Sequence, residues 1–86
     1  MTPEKAEILA FETLGWLAGE PEDLQKFLNL SGLDAADLRQ AAGSLEMSVA
    51  ILDYLLAHEE LLLRFCEAAE AKPKDLHLAR HMLGGV

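Results

Sequence analysis

Cys66, His77 and His81 come nearest, by type and spacing, to a set that could do chemistry. Two histidines four residues apart on a helix share a face, and C-x10-H-x3-H is close to the spacing of zinc ligands. Thiol and imidazole would then make a metal- or redox-responsive sensor. The pattern lacks a second thiolate, and Arg80 stands beside the histidines, where a fixed guanidinium is poor company for a cation. Cys66 also falls on an apolar helical face, where a free cysteine behaves as a small hydrophobe. The spacing therefore supplies no metal site and implies no cofactor.

Two other constellations meet similar objections. His58 followed by Glu59 and Glu60 could offer a general base and its orienting acid. Neighbouring residues on a helix point about 100° apart, however, and Glu60 is better placed to pair with Arg64 four residues on. No nucleophile or glycine-rich phosphate loop accompanies them, so nothing converges on catalysis. The segment Lys26 to Arg39 has the outline of a helix-turn-helix, with Ser31 and Gly32 in the turn. Its second helix would offer Asp34 and Asp37 to the phosphates against Arg39 alone, which excludes reading of nucleic acid.

The elements that must position these residues are helical. Composition is 51% hydrophobic but only 6% aromatic, rich in leucine and alanine, which excludes disorder and favours helix. Thr2, Pro3 and Glu4 read as an N-cap, a first-turn proline and a dipole-favoured acid. The first helix runs from there to about Ala18, burying Leu9, Ala10, Leu14, Trp16 and Leu17, and Gly19 ends it. Pro21 opens a short helix carrying Leu24, Phe27 and Leu28, which Gly32 breaks. Asp34 caps a third over Ala35 to Ala42, with Leu38 and Ala41 or Ala42 inward, stopped by Gly43. A last helix opens at Pro73, buries Leu76, Ala79 and Leu83, and ends at Gly84 and Gly85.

The segment Leu45 to Ala57, capped by Ser44, is the centre of the chain. On a helix, Glu46, Ala50, Asp53 and Ala57 form one narrow stripe and apolar residues cover the rest. So wide an apolar arc predicts neighbours on several sides. Leu62, Phe65, Cys66 and Ala69 form a further apolar face, with Glu59, Glu67 and Glu70 turned away.

Residues 11 to 43 can be laid on 49 to 81 at a shift of 38 without gaps. Leu14 meets Leu52, Leu17 meets Leu55, Leu24 meets Leu62, Phe27 meets Phe65, Leu38 meets Leu76 and Ala41 meets Ala79. The break at Gly19 to Pro21 then falls on Ala57 to Glu59. The repeat predicts a bend near His58 that no glycine or proline announces. The fold expected is all-α: a single domain of residues 1–86, a compact bundle of five or six short helices arranged as two tandem three-helix units sharing one core.

Fifteen acidic against seven basic residues give a formal charge of -8, which repels phosphates and anionic lipid heads. The longest apolar run, Val49 to Cys66, carries Asp53, His58, Glu59, Glu60 and Arg64 and cannot span a bilayer. A single cysteine suits a reducing compartment, and a glutamate near the start opposes an export signal. The expectation is a cytoplasmic protein with no nucleic-acid, membrane or small-molecule partner. Leu63 among Glu59, Glu67 and Glu70, and Ile8 between Glu4 and Glu12, are aliphatic residues on otherwise acidic faces. With the stripe of Ala50, Asp53 and Ala57, they are the candidate surface for a protein partner or a second copy.

The segments LGWLAG from Leu14, FLNLSGLDAADLR from Phe27 to Arg39 and LDYLLAHEELLLRFC from Leu52 to Cys66 resemble a family of short bacterial proteins, mainly alphaproteobacterial, catalogued as domain of unknown function 3572. The resemblance extends over nearly the whole chain. It implies a small helical cytoplasmic protein and brings no catalytic or binding residue with it. Taken together, the residues point to a small acidic non-enzymatic interaction module, an adaptor or regulator.

Overall fold

A computed structural model describes residues 1–84. Six helices follow one another: α1 (Pro3–Ala18), α2 (Pro21–Ser31), α3 (Ala35–Ala41), α4 (Leu45–Ala57), α5 (Glu59–Ala69) and α6 (Pro73–Gly84). Local chemistry sets most of these limits. The Thr2 hydroxyl accepts from the Lys5 amide at 3.2 Å, and the Ser44 hydroxyl from that of Met47 at 3.1 Å. Asp34 and Asp37 close a capping box, each carboxylate accepting from the other's amide, and so start the seven-residue α3. Gly32, at φ 74°, supplies the left-handed residue that ends α2. A stop at Gly85 lies outside the described residues.

The core is shared by α1, α4 and α6. Helix α6 packs most extensively on α1 and then on α4, and α1 and α4 pack on each other. Ala6, Ala10 and Ala79 are fully buried, small enough to let helix axes approach closely, while Leu17, Ile51, Leu52, Leu55 and Leu76 fill the interior. Helix α2 leans on α1, and α5 on α4 and α6; α3 touches the rest only slightly. The expected neighbours around α4 are present on several sides. Its stripe of Glu46, Asp53 and Ala57 is exposed, and Ala50 is half-buried.

The chain bends at His58, as the shift of 38 requires. The backbone there (φ -126°, ψ 83°) nearly repeats that of Glu20 (φ -117°, ψ 85°), 38 residues earlier. The ends of α2 and α5 correspond too. Gly32 and Glu70 are both left-handed, and the amides of Leu33 and Ala71 both reach back to a carbonyl five residues earlier, at 3.1 and 2.9 Å. The halves differ in their third helices, since α6 is central and α3 peripheral.

Two expectations are corrected, for Ala69 and Arg64. Ala69, expected on the apolar face of α5, is exposed, and Leu61 is buried on that helix with Leu62, Phe65 and Cys66. Of the two alternatives for the inward alanine of α3, Ala41 is the half-buried one and Ala42 is the exposed C-cap. Arg64 pairs with Asp23 of α2 and not with Glu60, its guanidinium 5.8 Å from the Trp16 ring centroid, so it ties α5 to both α1 and α2. Arg80, beside the exposed histidines, is half-buried, and its Nε donates to Asp53 Oδ1 at 2.6 Å.

Candidate docking surfaces

The residues with chemical potential are dispersed. Cys66 is buried on the core face of α5, whereas His77 and His81 are exposed on α6. Among the described residues, no three His, Cys, Asp or Glu side chains gather where they could hold one metal ion. Burial pushes the Cys66 thiol up, and the charge of Asp75 adds to it, so the reactive thiolate is disfavoured. His58 is tied to the end of α4: its Nδ1 donates to the Tyr54 carbonyl at 2.7 Å, and its ring lies tilted on the Tyr54 ring with centroids 4.3 Å apart. That bond satisfies one of the carbonyls a helix end leaves open, so His58 has a structural task at the bend.

Tyr54 is buried beneath this corner, edge-on to Phe27 at 5.1 Å between centroids. Burial, and then the charge of Asp23, raise its phenol above the ordinary 10.0. A raised acid pKa contributes stability that is fully present below the unfolded value. It is lost as pH rises through the folded value, because the unfolded chain gives up its proton first. Tyr54→Phe should therefore leave the urea midpoint at pH 7 almost unchanged and flatten the decline of stability above pH 10. An identical alkaline decline in wild type and variant would show that Tyr54 contributes nothing to it. Cys66 adds a loss of the same sign from about pH 9 in both proteins.

Three of the exposed large apolar residues, Leu30, Ile8 and Phe11, line two separate grooves. Between α2 and α4, Ala50, Asp53 and Ala57 share a groove with Phe27, Tyr54 and Leu30. Leu30 is 72% exposed, the most exposed of the large hydrophobic residues among the described residues. On α1, Ile8 (58% exposed) joins Phe11 (59%) in a groove of about 460 Å³ rimmed by Glu4, Glu7 and Glu12. Leu63 is half exposed on α5 and lines neither groove.

Of the residues expected on an interaction surface, Ala50, Asp53, Ala57 and Ile8 line these grooves and Leu63 does not, while Leu30 and Phe11 line them without having been expected there. For Phe11 a signal was present, because Ile8, Phe11, Gly15 and Ala18 recur at three, four and three residues on the side of α1 away from its core face. For Leu30 there was none, since its exposure depends on where α4 and α5 lie.

These features define a class: a small all-helical bundle with apolar surface grooves and, among the described residues, no assembled metal-ligand cluster and no helix long and apolar enough to cross a membrane. The chain belongs to the family described as Protein of unknown function (DUF3572), which matches residues 3–86. No curated protein and no solved structure matches it.

Proposed function

We propose that this protein is a small acidic adaptor or regulator that works by docking another protein and not by catalysis. The observation that carries this reading is Leu30, standing at the lip of the groove that Phe27, Ala50, Tyr54 and Ala57 line. A large aliphatic side chain so exposed beside further apolar surface marks a place where a partner gains by removing it from water. The charge of -8 favours a partner segment that carries cations beside its apolar residue. A single buried thiol suits a reducing compartment, and we place the module in the cytoplasm.

The two halves, α1 to α3 and α4 to α6, are in this reading tandem three-helix units sharing one core. Their support is the matched junctions at Glu20 and His58 and the matched left-handed ends at Gly32 and Glu70. The Leu30 groove lies between one unit's second helix and the other's first.

Affinity capture from the source cell with wild type, Leu30→Asp and Leu63→Asp tests the docking reading. Leu30→Asp is expected to lose a protein that wild type and Leu63→Asp retain, with all three unfolding at similar temperatures. Equal capture by all three, or none by any, removes the groove from the function.

A further inference from the structure

The α1 face is independent of the Leu30 groove, and we propose that it is the seam of a homodimer in which α1 packs antiparallel against α1 of a second copy. Ile8, Phe11, Gly15 and Ala18 form a line along α1 at spacings of three, four and three, the spacing of a two-helix seam. All four are exposed. The line is large at its start and small at its end. When two copies run antiparallel about a twofold axis at the level of residue 13, Ile8 of one copy faces Ala18 of the other and Phe11 faces Gly15. Each large side chain then meets a small residue, a self-complementary arrangement of the kind a twofold interface requires.

Gly15 supports this placement. Inside a helix, glycine is destabilising relative to alanine, and here the monomer has no use for it, since a Cβ at Gly15 would meet nothing within 4 Å. A second helix closing on that position, with Phe11 as its contacting residue, gives the missing side chain a reason.

Local charge along the seam fits a second copy, although the net charge of -8 opposes bringing two chains together. The Ile8 end of the line is flanked by Glu4 and Glu7, and the Ala18 end by Arg39, which with Leu38 and Ala42 brings α3 alongside. The antiparallel fit sets Arg39 of each copy against Glu4 and Glu7 of the other. Two attractive contacts of this kind close symmetrically. Glu12, one residue from the twofold level on the other flank, meets its own counterpart in a repulsive pair.

Sedimentation equilibrium over a concentration series tests the arrangement. Wild type is expected to pass from 9.4 kDa to twice that mass. Gly15→Glu should raise the dimer dissociation constant at least tenfold while leaving the unfolding temperature unchanged or higher, which separates loss of the seam from loss of the fold. Arg39→Glu should weaken the dimer and the added exchange Glu7→Arg should restore it. Glu12→Gln should tighten it by about twofold to fivefold, the range of an exposed charge pair. A wild type that stays at 9.4 kDa throughout overturns the dimer, as does a dimer indifferent to Gly15→Glu or weakened by Glu12→Gln. None of these results bears on capture through Leu30.

Discussion

Replacing Phe65 with alanine is expected to remove about 3–5 kcal/mol of stability, the range for deleting a large aromatic side chain from a packed interior. Phe65 has no exposed surface, and its ring meets the edge of Trp16 with centroids 5.6 Å apart. It is thus the residue through which α5 is held to α1 across the bend at His58. A chain of this size has roughly 4–13 kcal/mol in total at the usual stability per residue. The substitution therefore removes a large part of the whole and, at the lower end, all of it. Urea unfolding followed by the fluorescence of Trp16, the one tryptophan, reports on the same contact that is deleted. A loss below about 1 kcal/mol would mean that α5 is not seated in this way.

The second large effect is a difference between two leucines that the shift of 38 makes equivalent. Leu76 lies on α6, fully buried where that helix packs on α1 and α4, and Leu76→Ala should cost towards the upper end of the range of about 2–5 kcal/mol. Leu38 is also buried, but on the short α3, which makes only slight contact with the other helices. The surroundings of Leu38 can close over a missing side chain by a small movement of α3, and α6 has no such freedom. Leu38→Ala is therefore expected at the lower end, at least about 1 kcal/mol less damaging. Equal losses in urea unfolding would show that α3 is as firmly packed as α6.

That contrast marks how far the sequence carries. Helix limits were legible where a single residue fixes them: Thr2, Asp34 and Ser44 as caps, Pro21 and Pro73 as openers, Gly32 as a left-handed stop. The bend at His58 has no such mark, and only the alignment of the chain with itself located it. The left-handed turn at Glu70 was illegible for the opposite reason, since a glutamate occupies a conformation that usually takes glycine. Periodicity identified the apolar face of each helix but not which helix would lie deepest, because that depends on contacts between distant segments. Hence α3 and α6 looked equivalent, Ala69 was placed on an apolar face that it does not share, and Arg64 was assigned to a neighbour on its own helix when its partner is Asp23.

The candidate surfaces divide in the same way. Ile8 and the stripe of Ala50, Asp53 and Ala57 could be read from the helical pattern alone. Leu30 required the tertiary structure, because it is the position of α4 beside α2 that turns an ordinary surface leucine into the lip of a groove. Thr13 and Ser48 show the converse, polar residues that are buried. Thr13 is accommodated because its hydroxyl donates to the Leu9 carbonyl at 2.8 Å.

Cross-linking inside the source cell tests the docking function most directly, with a photoreactive phenylalanine analogue at position 30 in one strain and at position 63 in another. The account predicts a discrete adduct to another protein from position 30 and none from position 63. No adduct from position 30, or the same adducts from both positions, would contradict it.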